Sequence, residues 1–480
     1  MTSSWAAARQ EKVLYPFNPV GTGATPIATL VSDAAGNLYG TTEYGGVFGY
    51  GTAYELTPGP GGTWNEKVLH NFNKNGTDGI GPEASLIFDG SGNLYGTTFS
   101  GGTDGVGTVF ELSPAEGGNW AEKVLYSFRF NGIDAYYPLG GVIFDAAGNL
   151  YGTTIFSGPP YGGTVFELTP SGNNWTEKIL YTFGNGTDGQ NPQASLIFDT
   201  SGNLYGTTEA GGTSGLGMVF ELMPSQNGWT EKVLLNFNGA NGGNSEAALV
   251  FDKSGNLYGT TYGGGAYGYG TVFELMPAQG GNWTEQVLHS FPYNNGVDGG
   301  GPNAAVIIDN AGNLYGTTGS FGAFNNKGTV YQLTPGLEGW TENVLFSFNG
   351  TDGQNPFAGL VLASGNLFGS TSHGGPNNLG VVFELTPLGN GWAEKTICNF
   401  TNAVTDGAEP YAALLPKNGN LYGTTFAGGA YGYGSVFELT PAEGGGWTEK
   451  TLHSFNYVVF SNSNDGSYPR GGLGRVNTKR

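Results

Sequence analysis

Positive charge is scarce in this chain. Seventeen Lys and Arg stand against 38 Asp and Glu, a formal charge of −21 over 480 residues. That balance argues against nucleic acid and anionic membrane surfaces as partners and leaves neutral or cationic ones open. A single cysteine, Cys398, excludes an internal disulfide framework. The four histidines offer neither the convergent ligands of a zinc site nor a His beside a nucleophile. Three of them, His70, His289 and His453, share one repeated position with Tyr126, Tyr181, Leu235, Phe346 and Cys398, as expected of interchangeable packing residues, and His373 stands apart in a loop. No apolar run of about 18 residues is present, and the opening Met-Thr-Ser-Ser-Trp lacks a basic start before an apolar core, so neither membrane insertion nor an export signal is expected. Helical periodicity is absent as well.

What the chain has instead is repetition. Gly-Asn-Leu, then Tyr or Phe, then Gly begins at Gly36, Gly92, Gly148, Gly202, Gly255, Gly312, Gly365 and Gly419, at spacings of 53 to 57 residues. Eight copies of one supersecondary unit override the length-based expectation of several domains and predict a single domain over 1–480. Glycine accounts for 89 residues, but an aromatic content of 14% is far above that of a disordered Gly-rich polymer, so the glycines punctuate folded strands.

The unit at 82–128 reads as four strands: Ala84 to Asp89, Leu94 to Thr98, Thr108 to Ser113 and Trp120 to Phe128, here called a to d. Their runs are apolar on both faces, as expected for sheets sandwiched between neighbours, and this predicts an all-β, eight-bladed propeller of four-stranded antiparallel blades. Six repeats place Asp at the end of strand a (Asp33, Asp89, Asp145, Asp199, Asp252, Asp309). The last two carry Ala363 and Lys417 there and shorten the turn by one residue. The paired change predicts that the aspartates cap a longer turn, while Ser-Gly and Asn-Gly form tight type I′ turns. Glu in Phe-Glu-Leu and the Lys shortly after Trp (Glu111 with Lys123, for example) are expected opposite one another on strands c and d.

The segment Pro-x-Ala-x-Leu-Ile-Phe-Asp-x-x-Gly-Asn-Leu-Tyr, at 82–95 and 192–205, resembles the inner strands of NHL-type propeller repeats. The longer unit, ending in Gly-Thr-Val-Phe-Glu-Leu-Thr-Pro and Trp-Thr-Glu-Lys-Val-Leu, resembles the bacterial GloVer tandem repeat over roughly residues 11 to 455. The resemblance implies strand a at the central channel, strand d outermost, export to the cell surface and no catalytic residues. It also puts the d-to-a and b-to-c connections on one rim. Strand d occurs nine times, so 1–17 is expected as a closing strand and 456–480 as the start of a degenerate ninth repeat. Terminal strands left over could support self-association.

Two loop features are candidate sites. Three b-to-c loops share Gly-x-aromatic-Gly-Tyr-Gly and, with their flanks, offer Tyr44, Phe48, Tyr50, Tyr267, Tyr269, Phe426, Tyr431 and Tyr433. Ring closure would gather those of the first and eighth repeats into one sector, suited to stacking on sugar rings or capping a protein, or else packing on one another. Asp-Gly recurs before strand a at Asp78, Asp188, Asp298, Asp352 and Asp406, a weak match to calcium loops and a good one to turns. No cofactor is expected. The reading is a non-enzymatic surface propeller that binds carbohydrate or a protein partner at its loop rim. A purely structural module and a glycan-active enzyme using channel carboxylates are the alternatives.

Overall fold

The structure, a computed structural model, describes residues 23–455 apart from 61–62, 133, 158, 227, 294–296, 325, 390, 402–405 and 444–445. Both terminal segments, 1–17 and 456–480, therefore lie outside the described residues. Eight four-stranded antiparallel sheets, each in the order a-b-c-d, follow one another along the chain. Blade 1 is Val31–Ser32, Leu38–Thr42, Thr52–Pro58 and Trp64–Asn71; blade 8 is Leu415–Lys417, Asn420–Thr425, Ser435–Ala442 and Gly446–Ser454. Blades 2 to 7 span 87–127, 143–182, 197–236, 250–290, 307–347 and 361–399. The described residues contain no α-helix, and hence no helix able to cross a membrane.

The Gly-Asn-Leu-Tyr-Gly signature has two separate causes. Its first glycine, Gly92, turns the a-b hairpin at φ +87°, where a side chain would be strained. Its second, Gly96, lies under the Phe110 ring, and a Cβ there would sit 2.7 Å from that ring. The Tyr between them is a hub. Tyr151 donates through its hydroxyl to Asp145 at 3.1 Å and to Glu167 at 2.9 Å, tying strands a, b and c together. The aspartates cap their turns as expected: Asp89 accepts from the Ser91 and Asn93 amides and from the Asn93 side chain. In blades 7 and 8 the central turn residues Ser364, Gly365, Asn418 and Gly419 all have positive φ, the type I′ geometry. Glu111 pairs in register with Lys123, and Lys232 lies 3.0 Å from Glu221.

Strand a is shorter than the sequence suggests. In blade 2 only Ile87–Phe88 joins the ladder, because the carbonyls just before it turn to the neighbouring blade: Thr41 donates to the Ala84 carbonyl at 3.4 Å, and Thr97 to Gly140 at 3.3 Å.

Eight apolar clusters hold the ring, one at each junction between blades. A Trp on strand d of one blade meets the edge of the hub aromatic of the blade before it, as Trp120 does with Tyr39 at 6.0 Å, and a strand-end Phe meets the strand-c aromatic of the next blade, as Phe72 does with Phe110 at 5.1 Å. Both series run through to the last junction. Trp64 meets Tyr422 at 5.8 Å and Phe455 meets Tyr54 at 5.1 Å, so blade 8 packs on blade 1 through the same contacts that join every other pair. A backbone bond from Thr25 N to Tyr433 O, 2.8 Å, completes the series begun by Gly81 N to Tyr50 O. The ring is closed.

Candidate functional site

The d-to-a and b-to-c loops share a rim and pair with each other there. Gly79–Ile80 forms a two-stranded ladder with Ser100–Gly101, and four other junctions repeat it. The aromatic loops lie on this rim, and the structure divides them. Tyr50 and Tyr269 lean onto junction cores, Tyr269 also meeting Tyr293 and Phe321, and Phe426 packs against Tyr411. Tyr44 is half-buried, with its backbone paired to Ala24. Phe48, Tyr267, Tyr431 and Tyr433 are exposed. Closure brings the loops of blades 1 and 8 side by side, while Tyr267 and Tyr269 stand on blade 5, across the ring.

The Asp-Gly carboxylates bind their own loops. Asp78 takes the Gly79 amide on one oxygen and the Asn73 amide, the Asn73 side chain and His70 on the other. Asp188 takes Gly189 N and the Tyr181 hydroxyl, Asp406 takes Gly407 N and Thr401, and Asp352 takes Asn349. Asp298 takes Gly299 N and His289. These bonds make the aspartates loop organisers, with few acceptor sites left for calcium, which needs six to eight oxygens.

A more asymmetric feature lies on the axis. A cavity of about 510 Å³ is lined by the residues leading into the inner strands of blades 1, 2, 3, 4, 7 and 8, which can share one space only at the ring centre. Its wall is made of small side chains such as Ala28, Ala84, Gly140, Ser195, Ala358 and Ala412, which keep the throat open. One position per blade, three residues before the buried Leu or Val that leads into the inner strand, varies along the chain, with Glu alone occurring twice: Ile27, Glu83, Leu139, Gln193, Glu246, Asn303, Phe357 and Tyr411, of which all but Glu246 and Asn303 line the cavity. The repeat prescribes the backbone there and leaves the side chain free.

These side chains are organised by a second variable ring behind them, the residue after each Gly-Thr-Thr. On blade 1 that residue is Glu43, which is buried; the proton affinity of Glu43 is pushed up to about 7 by burial, and that of Glu83 on the next blade to about 8 by burial first and by Glu43 second. Glu209 and Glu246 form the same kind of pair between blades 4 and 5, with Glu246 pushed up to about 7 by burial and by Glu209. Gln193 donates to Glu209 at 2.6 Å. Buried Glu246 Oε2 and Asn303 Oδ1 have no hydrogen-bond partner in the protein. On blades 7 and 8 Phe357 and Tyr411 lie parallel, ring centres 6.4 Å apart and planes 19° apart, with Phe426 at the edge of Tyr411. Phe357 fits because blade 6 supplies Gly319 behind it, where a Cβ would come within 2.6 Å of the ring.

Sequence reasoning passed over this mouth because its residues share no motif. The signal was their very lack of agreement at one column of an otherwise regular repeat. It also passed over the Glu of Trp-x-Glu, present in all eight copies (Glu66, Glu122, Glu177, Glu231, Glu285, Glu342, Glu394, Glu449) while the Lys after it is lost twice. Those glutamates stand at the blade junctions, and burial pushes Glu66 and Glu177 up to about 8.

Solved structures similar to this chain are propellers of low identity. They include a putative 6-phosphogluconolactonase from Bacteroides fragilis (15% identity, 76% of this chain and 95% of that one, TM-score 0.44). An ancestral GH74 enzyme matches at 12% identity over 88% of this chain and 56% of that one, TM-score 0.45. A putative glucose dehydrogenase from Thermus thermophilus matches at 17% identity over 65% and 98%, TM-score 0.34. Likeness at this level says nothing of activity. Among curated proteins none matches. The model of the Gloeobacter/Verrucomicrobia repeat matches residues 4–129, 117–325 and 301–479, nearly the whole chain, and the protein belongs to that repeat family.

Proposed function

We propose that this protein is a carbohydrate-binding propeller whose ligand sits at the channel mouth, and that it works outside the cell, as its sequence resemblance implies. The observation that carries the reading is the amphipathic mouth on a repetitive frame. Tyr411 on blade 8 stands across an eightfold ring from Gln193 on blade 4, so the stacked pair of Phe357 and Tyr411 shares one cavity with the polar Glu83 and Gln193 and the apolar Ile27 and Leu139. Sugars present an apolar face for stacking and a rim of hydroxyls for carboxylates and amides. Because Glu83 holds its proton near neutral pH, it and Gln193 offer neutral hydrogen-bonding groups that favour uncharged glycans. This moves the ligand seat inward from the exposed loop aromatics Phe48, Tyr267, Tyr431 and Tyr433.

A second reading, glycoside hydrolysis, is favoured by one observation: the Glu43–Glu83 and Glu209–Glu246 pairs each contain a carboxyl that holds its proton near neutral pH, the property required of a general acid. A glycan array on the intact chain, followed by titration of the best hit against Tyr411→Ala and Gln193→Ala, tests the binding reading. Losses of about tenfold or more in affinity are expected for each, the usual effect of removing a central contact. An array without hits, or a hit indifferent to both substitutions, would overturn it. Release of reducing sugar from the hit, abolished in Glu83→Gln, would replace binding by hydrolysis.

A further inference from the structure

At six of the eight junctions the repeat aligns three side chains: one from the end of strand d, an aspartate from the loop after it (Asp78, Asp134, Asp188, Asp298, Asp352 or Asp406), and the Trp-x-Glu glutamate of the next blade. Where strand d supplies Tyr, the phenol donates to the aspartate, as Tyr126 does to Asp134 at 2.8 Å and Tyr181 to Asp188 at 3.0 Å, and the group holds no nitrogen ligand. At two junctions strand d supplies His and the loop after it supplies Asp. There His70, Asp78 and Glu122, and again His289, Asp298 and Glu342, bring one ring nitrogen and two carboxylate oxygens within 4.8 Å of one another. The Nε2 to Oδ2 distances are 3.0 Å at His70 and 2.8 Å at His289.

Both aspartates are buried, both histidines are reachable from solvent at 18–19% side-chain exposure, and buried Glu122 Oε1 and Glu342 Oε1 accept no hydrogen bond in the protein. An unclaimed glutamate oxygen occurs at other junctions too, at Glu66 and Glu177 for example. Among the described residues, only beside His70 and His289 does it meet a nitrogen ligand and an aspartate together. For His453, the third histidine of the series, the repeat position of Asp78 is held in the sequence by Thr22.

We propose that these two clusters are divalent transition-metal sites, each taking one Zn²⁺-class ion through His Nε2, Asp Oδ2 and Glu Oε1, with water in the remaining position. One nitrogen and two carboxylates suit borderline first-row ions, whereas calcium requires many more oxygens than the cluster has. Ligands at about 2.0–2.2 Å from a tetrahedral ion lie a little over 3 Å apart, close to the spacing already present. The ion takes the place of the proton shared between His and Asp. Each site joins the outer strands of adjacent blades, 1 with 2 and 5 with 6, and four blades separate them, so the ring is stapled at two opposite points.

The test is calorimetric titration of untagged, chelator-treated full-length protein with Zn²⁺, with thermal unfolding alongside. The expected result is two ions per chain and a higher Tm with Zn²⁺. His70→Tyr leaves one ion and His70→Tyr with His289→Tyr leaves none, with the metal-free Tm unchanged, because Tyr already occupies this position in blades 2 and 3. No Zn²⁺ uptake at millimolar concentration, or two ions retained by the double variant, would overturn the sites. Equal uptake of Ca²⁺ would overturn the ion class.

Discussion

The eight blade junctions and the channel mouth follow opposite rules. At the junctions every repeat delivers the same contacts: a Trp on a hub aromatic, a Phe on a strand-c ring, and a buried cluster between. At the mouth the eight repeats deliver seven different side chains, only Glu83 and Glu246 agreeing. The difference separates what the fold demands from what it leaves free. A blade cannot bury its faces alone, so its neighbours must match, whereas a rim position facing an open axis has no partner that dictates it. The column that varies is therefore where the proposed ligand seat is placed.

The largest expected effect concerns the equivalence of the junctions. Phe128 and Phe455 are both fully buried, and Phe128→Ala should destabilise the protein by about 3–5 kcal/mol. If blade 8 closes on blade 1 as the other blades close on one another, Phe455→Ala costs about the same by chemical denaturation. A much smaller cost at Phe455 would break the comparison and describe an open stack.

Next in size are the turns. Asp89→Ala removes an acceptor of four backbone and side-chain bonds and should cost about 1–3 kcal/mol, whereas Ala363 of blade 7 already stands at that position, so Ala363→Asp should gain nothing in the same assay.

Acid–base behaviour gives a subtler contrast. Glu83 ionises near 4.5 in the unfolded chain and near 8 when folded, so the folded state holds its proton more tightly. The resulting stability is fully present below pH 4.5 and is lost as pH rises from there to about 8. Glu83→Gln should flatten the fall of Tm across that window. Asp89, Asp145 and Asp309 act in the other direction: at Asp89 burial is outweighed by the bonds from Asn93, Ser91 and Tyr95, which hold the carboxyl below its ordinary value of 3.8, and the contribution is lost only as pH falls through that region. The smallest effect belongs to the mouth itself, where Gln193→Ala should change stability by less than about 0.5 kcal/mol.

Much of the fold was legible because repetition exposes cause. The loss of Asp at Ala363 and Lys417 together with a shorter turn identified both turn types, and Glu111 opposite Lys123 fixed the register of strands c and d. Closure was an inference that contacts such as Trp64 on Tyr422 made concrete. The extent of strand a was not legible, since Ala84 and Gly140 look like strand residues until their carbonyls are seen to accept from the adjacent blade. The mouth was less legible still. Glu43 and Glu83 lie 40 residues apart in sequence and belong to different blades, so their coupling exists only in the assembled ring.

Hydrogen exchange on the complex with the best array ligand tests the central claim directly. The account predicts protection concentrated in the segments that carry the mouth, around Glu83, Leu139, Gln193, Phe357 and Tyr411, with the outer loops at Phe48, Tyr267 and Tyr431 unchanged. Protection confined to those outer loops, with the mouth segments exchanging as in the free protein, would contradict it.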